Sequence, residues 1–375
     1  MATTVPTSIH RVGRLKLDRD DWIIRGLLLG FTVLLIVALV IPLYMLISRS
    51  FHDASGVFIG LANYVLYFET PALFLSINNS FFIATVSTII SVSLAFFYAY
   101  ALTRTCMKFK GFFKVMALVP LLSPGILKAI ALVYWFGNQG LLNEWLLGYS
   151  IYGPIGIVMG SVFWTFPHAV LVIATAMALS DLRLYEAADV MKTSRMRTFF
   201  TITLPGIQYG LISAFIIVFI RIFTDFGIPK VIGGNYNVLA TDIYKEVVGQ
   251  QNFEMGAVVS VVLLVPALIA FVIDRIVTRK QVAALTSRSV PYAPKPNKWL
   301  DGSLVIYCSL ITVLMFCVLG MAQFASMVKF WPYNLELTLD HYQFDLIGVG
   351  WENFFNSIWL AFSASVFGTF IVFLG

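Results

Sequence analysis

The strongest constraint on this chain is a series of apolar runs, each long enough to cross a lipid bilayer. A spanning helix needs about 20 apolar residues. Such runs fall near 26–47, 78–102, 112–136, 155–179, 207–227, 255–274 and 302–322, and an eighth begins near 355 and continues to Gly375. They are continuous, without the alternation of a membrane strand, so helices are the form in which buried backbone satisfies its own hydrogen bonds. Charge is correspondingly scarce: 12% of the 375 residues are Asp, Glu, Lys or Arg, against roughly 25% in soluble domains. The expectation is an all-α integral membrane protein. The first run is read as a retained helix, because no small-residue cleavage pattern follows it.

The scarce charges set the orientation. Of the 25 Lys and Arg, 19 lie in segments 1–25, 103–114, 180–206 and 275–299, and 4 lie in the alternate segments 48–77, 137–154, 228–254 and 323–354. Cytoplasmic loops carry the excess, which places the N-terminus and the loop at 180–205 in the cytoplasm. Residues 1–25 read as a basic tail and 26–275 as one membrane unit with its core at 70–275. The polar, proline-rich stretch 276–299 reads as a cytoplasmic linker. Beyond it, 341–374 echoes 63–96, with an aromatic lead-in, then Asn-Ser, then a long span. Residues 300–375 are therefore read as the start of a second unit, cut short at Gly375; chance similarity between two apolar helices is the alternative.

Several chemistries are missing. The chain has no G-x-x-x-x-G-K-[ST] loop for ATP, no H-E-x-x-H and no paired cysteine ligands, so no metal site is expected. Cys106, Cys308 and Cys317 give no disulfide framework and are read as helix residues. His10, His52, His168 and His341 are scattered, and His168, just after Pro167, reads as a packing residue at a kink. No nucleophile with an acid–base partner can be assembled, so the chain is read as moving a solute rather than as an enzyme.

The loop "YEAADVMKTSRMRTFFTITLP" (185–205) is the conspicuous polar insertion. It reads as two short helices and a turn. Ser180 suits the first cap, and Thr193 and Ser194 suit a break and a second cap. Leu184, Ala188 and Met191 form one apolar stripe, opposite Arg183, Glu186 and Asp189. Ala187 and Ala188 favour helix, and Leu204-Pro205 opens the next membrane helix. A helix lying on the lipid surface is one reading of this pattern, and a docking surface is the other.

"EAA" at 186–188 followed by "ITLP" at 202–205 resembles the cytoplasmic signature of permease subunits of binding-protein-dependent ABC importers of the type I fold. The resemblance covers about 70–280. It implies a type I importer transmembrane domain of about six helices, in a bacterial inner membrane. It also implies a separate ATP-binding subunit (a dimer, carrying ATP–Mg), an extracytoplasmic solute-binding protein, and a second permease unit, fused or separate. No cofactor is implied for this chain itself. Glu186, Ala187 and Ala188 would be the face docked on the ATPase, supported by Leu184 and Met191 and followed by Leu204 and Pro205. The family places glycine where this chain has Lys192. Through the linker, the chain is similar to the double permeases of the iron(III) and 2-aminoethylphosphonate systems. The stretch "TDFGIPKVIGGNYN" (224–237) and the residues after it look closest to the aminoethylphosphonate branch. Iron(III), polyamine or another small solute are the alternative cargoes.

Charged residues within spans mark candidate path positions. Arg221 and Asp225, four apart near the end of the fifth run, are expected to share a helix face. Arg221 is read either as meeting an anionic phosphonate or as pairing with Asp225. Lys128, after the helix-breaking "SPG" at 123–125, is expected to snorkel outward, with contact to substrate as the alternative. An ion-coupled secondary transporter is the competing class; it would need acidic residues within the spans, and apart from Asp225 they offer almost none.

Overall fold

The computed structural model describes residues 19–284, 290, 292–343 and 350–374. Most of the basic tail and the linker positions 285–289 and 291 lie outside them. The helices are α1 (Asp21–Arg49), α2 (Ala62–Glu69), α3 (Pro71–Arg104), α4 (Lys110–Leu122) and α5 (Gly125–Phe136). Next come α6 (Pro154–Ala178), α7 (Leu182–Val190), α8 (Arg195–Phe223), α9 (Gly227–Ile232) and α10 (Leu239–Tyr244). The chain continues with α11 (Phe253–Ala284), α12 (Lys298–Ser326) and α13 (Gly350–Leu374). A two-stranded antiparallel hairpin, β1 (Val328–Phe330) and β2 (Asn334–Leu337), is the sheet among the described residues.

Among the described residues seven helices are long and apolar enough to cross a membrane, and the bent pair α4–α5 makes an eighth candidate. Two compact units are distinguished. One comprises residues up to Met45 and from Gln343 onward, and its helices expose their apolar surfaces along their length. The other, Leu46–Tyr342, holds the core.

The core unit is built on close approach between α3, α6 and α8. Along α3, Ser76, Ser80, Ala84, Ser87, Ser91, Ala95 and Ala99 are buried at steps of three and four residues. This small-residue seam lets neighbouring backbones come near, which is how helices gain packing energy without a hydrophobic drive from lipid. The Thr165 hydroxyl of α6 lies 3.1 Å from that of Ser91 on the seam. On its other side α6 offers Gly156 and Gly160 to Ile232 and Ile228 of α9; a Cβ on Gly160 would fall 2.8 Å from the Ile228 side chain.

The structure corrects several expectations. The run 112–136 is not one straight span but bends by 97° between Leu122 and Gly125. Proline disfavours helix at the residue before it, and Ser123 and Pro124 are both extended. The fifth run ends at Phe223, leaving Asp225 in the following turn. Its helix starts earlier than expected, at Arg195, so Pro205 lies inside α8 rather than at its first turn. A π-helical turn at Phe199–Thr203, with the Leu204 N–H donating to the Phe199 carbonyl, widens the ladder just before the ring. That widening is a standard accommodation for a proline within a helix. Cys106 follows the end of α3 and is not helical; Cys308 and Cys317 do lie on α12.

α12 belongs to the same compact unit as α3–α6. The Tyr307 hydroxyl donates to the Leu94 carbonyl at 2.8 Å, and Trp135 Nε1 donates to the Cys317 carbonyl at 3.0 Å.

Candidate coupling surface and path residues

α7 stands where the basic loops gather, at one end of the core unit. Its N-cap is Asp181 rather than Ser180: the Asp181 carboxylate accepts from the Arg183 N–H at 3.1 Å. At the far end the turn is a Schellman closure. The Thr193 N–H reaches back to the Ala188 carbonyl and the Lys192 N–H to Asp189, both at 3.0 Å. Lys192 has φ +53°, the left-handed conformation for which glycine is the ordinary choice. The loop thus keeps the geometry of a glycine turn and carries it on a lysine, at a cost of about 1 kcal/mol. Lys192→Gly is expected to slow amide exchange at Thr193 about fivefold, measured by hydrogen exchange on the purified protein. Unchanged exchange would show that Lys192 sits there without strain.

The apolar stripe does not behave as one surface. Ala188 is buried within the chain, 2% exposed, while Leu184 and Met191 are 55% and 68% exposed. Ala188 therefore packs rather than docks, and the free face of α7 consists of Leu184, Glu186, Ala187, Val190 and Met191. Helical geometry explains the split. Tyr185 and Ala188, three apart, turn inward together, and the Tyr185 hydroxyl donates to Thr203 Oγ1 in the π turn of α8 at 3.1 Å. Leu204 and Pro205 follow directly, so α7 is tied by its buried face to the start of α8.

The linker contributes contacts that the sequence did not suggest. The Val290 carbonyl accepts from the Leu182 N–H at 2.9 Å, and the Val290 N–H donates to Asp181 at 3.3 Å. Lys295 pairs with Asp189, which holds the exposed Lys295 ammonium above its usual range. Tyr292 packs edge-on against Tyr185, with ring centroids 4.6 Å apart. Arg104, the last residue of α3, covers this pair, its Cζ 4.2 Å from the Tyr292 centroid and 5.1 Å from that of Tyr185. Its Nη2 donates to the Met177 carbonyl at the end of α6, at 2.9 Å. A buried cation is thus held by a helix C-terminus and two aromatic faces. Arg104, Tyr185, Tyr292 and Lys295 together brace α7 against α3, α6 and α8. Arg104 counted in the sequence only as one more loop charge, and no local pattern links it to Tyr292.

The candidate path residues regroup. Arg221 and Asp225 do not share a helix face and form no ion pair. The Asp225 carboxylate instead accepts from the N–H groups of Gly227 and Ile228, at 3.3 and 3.1 Å, and so caps α9. Lys128 does not snorkel: it is 1% exposed, and its Nζ donates to the Ser123 carbonyl at the bend, 3.0 Å away. Arg221 is exposed and lies over Trp164, 5.9 Å from the ring centroid. Among the described residues no group of three or more His, Cys, Asp or Glu is placed to hold a metal ion.

A bundle with a broken third span and a short exposed helix before its α8 span has the fold of a type I importer transmembrane domain. The chain belongs to the family of binding-protein-dependent transport system inner membrane components, whose model matches residues 91–282. Among curated proteins it is similar to the ferric transport system permease protein FbpB of Actinobacillus pleuropneumoniae, 23% identical over 96% of this chain and 54% of that protein. A putative ferric permease, FbpB 1 of Haemophilus influenzae, is 25% identical over 92% of this chain and 57% of its own length. The spermidine/putrescine permease PotB of the same organism is 25% identical over 64% of this chain and 89% of that protein. The chain spans about half the length of the ferric relatives it matches. Among solved structures, a subunit of a bacterial ABC transporter involved in the import of the acidic polysaccharide alginate has a TM-score of 0.59 at 17% identity. That match covers 71% of this chain and 97% of the other.

Proposed function

We propose that this chain is the membrane-spanning subunit of an ATP-driven importer, providing the solute path while a separate ATPase supplies the energy. The observation that carries the proposal is α7, an exposed helix at the end of the bundle whose Tyr185 is bonded to α8 and packed on Arg104 of α3, which is itself bonded to α6. A force applied to Glu186, Ala187 and the apolar residues beside them would pass through Tyr185 and Arg104 into α8, α3 and α6. Closure of the ATPase pair would then rock these helices and open the path alternately to the binding-protein side and to the cytoplasm. In this reading the Arg-rich end and the N-terminus face the cytoplasm of a bacterial cell, following the charge asymmetry. ATP–Mg belongs to the ATPase, and this chain carries no cofactor. Residues 300–375 begin a second permease unit, whose α12 packs on the first.

For the cargo, the resemblance over 224–260 supports 2-aminoethylphosphonate. Iron(III) is the second reading, supported by the two ferric relatives that match nearly the whole chain. An ion-coupled mechanism would need acids poised within the spans; Asp274 of α11 is there, but its carboxylate is already bonded to Ser213.

A cross-link tests the docking surface. With Ala187→Cys in a chain whose exposed Cys106 and Cys317 are replaced by serine, a bis-maleimide reagent is expected to join this chain to a cysteine placed in the ATPase of the assembled transporter, while the same chain with Ala187 intact gives no such product. If position 187 labels freely with maleimide in the assembled complex and never cross-links, the docking surface lies elsewhere.

A further inference from the structure

We propose that Lys128 and Arg221 form a cationic station in the solute path, around Trp164 and His168, that takes a small solute bearing a phosphonate, phosphate or carboxylate group. The inference rests on the importer reading above and specifies the cargo of that path.

The placement is the first argument. Trp164 lies ten residues into α6, about 15 Å from its start and close to midspan. Gly125, at the bend between α4 and α5, faces it: a Cβ there would come 3.9 Å from Trp164 and from Ile228. His168 is one turn further along α6, its ring centroid 6.5 Å from that of Trp164. Arg221 covers the same indole from α8, and both Arg221 and Lys128 act on His168 electrostatically. Three helices and a break in the backbone therefore meet at one point. Non-helical backbone at membrane depth is tolerated only where protein buries it or where it lines a water-filled cavity.

Charge is the second argument. Lys128 and Arg221 take no part in the ion pairs Arg49–Glu254, Lys295–Asp189 and Lys329–Glu336, and have no carboxylate within 4.0 Å among the described residues. Asp225 acts on Lys128 electrostatically, but its oxygens are engaged by the two N–H groups of α9. Lys128 and Arg221 thus face at most one committed anion, and Lys128 does so inside the protein, where an unpaired ion costs several kcal/mol. Intramembrane charges mark substrate pathways, and an excess of one sign identifies a solute of the other. A guanidinium offers oxyanions a fork of donors, and an ammonium adds a point charge. Polyamines, which are cations, are disfavoured by the same excess.

The test uses the complete transporter with its ATPase and binding protein in proteoliposomes, fed labelled 2-aminoethylphosphonate, inorganic phosphate or spermidine. Wild type is expected to take up an oxyanion and not spermidine. Arg221→Gln and Lys128→Met are each expected to lower that uptake about tenfold or more, whereas Arg221→Lys retains most of it. Arg221 is exposed, so its variants remain informative even if Lys128→Met fails to assemble. Unchanged oxyanion uptake in Arg221→Gln overturns the station. So does spermidine uptake by wild type, or binding-protein-stimulated ATP hydrolysis with no oxyanion carried. Absence of any binding-protein-stimulated hydrolysis in wild type would instead remove the importer reading itself.

Discussion

Reversing the charge at Glu186, as Glu186→Arg, is expected to abolish ATP-driven uptake while leaving the chain inserted and folded. The fold should tolerate the change because Glu186 is exposed and makes no ion pair within 4.0 Å among the described residues. Exposed substitutions of this kind usually shift stability by less than about 0.5 kcal/mol. The coupling should not tolerate it. Losing one partner of a desolvated charge pair costs about 2–5 kcal/mol, and reversal adds repulsion, so uptake is expected to fall by at least about 100-fold. The measurement pairs uptake with co-purification: the variant should reach the membrane in normal amount yet fail to retain the ATPase in detergent. Normal uptake by Glu186→Arg would rule out the outward face of α7 as the docking surface. Ala188 does not serve for the same experiment. It is buried, so a bulky residue there overpacks the helix by about 1–3 kcal/mol and confounds folding with docking.

The membrane helices were legible because lipid enforces a simple rule on long apolar runs, and the coupling loop because its polar pattern interrupts them. What stayed hidden has physical causes. The helix-breaking "SPG" at 123–125 was visible, but not the 97° bend it makes, because the average apolarity of the run is unaffected by two residues and hydropathy reads it as one span. Pro205 looked like a helix start, because a π turn that absorbs a proline leaves no signature in composition. Lys192 looked like a departure from its family, yet the backbone there is left-handed, the conformation that glycine ordinarily supplies. The burial of Lys128 depends on the direction in which a 97° bend aims its side chain, which spacing along the chain does not encode. The brace of α7 was least accessible of all. Tyr292 and Lys295 are more than a hundred residues from Tyr185 and Asp189, and the segment carrying them has the composition of a free linker.

That brace leads to the second large effect. Arg104→Met is expected to detach α7 from the helices it drives, lowering uptake by about 100-fold. The guanidinium makes two aromatic contacts and one hydrogen bond to a helix C-terminus. At about 1 kcal/mol for each ring and about 1.5 kcal/mol for a charged hydrogen bond, its anchoring comes to roughly 3.5 kcal/mol. Methionine can fill the volume but offers neither charge nor donor. Arg104→Lys is expected to be intermediate: an ammonium can reach the Met177 carbonyl but cannot present a planar face to Tyr185 and Tyr292. The diagnostic readout is hydrogen exchange over residues 182–193, which should quicken in Arg104→Met while amides of α3 and α6 away from the site keep their protection. A merely structural arginine would give the opposite pattern, with protection lost along α3 and α6 and α7 no more affected than they are. Tyr292→Ala offers an independent check, since it removes one ring from the side of the linker without touching any span. If that variant couples normally, the brace runs through α3 and α6 alone and the linker is a bystander. If it reproduces part of the Arg104→Met defect, the segment after α11 belongs to the lever.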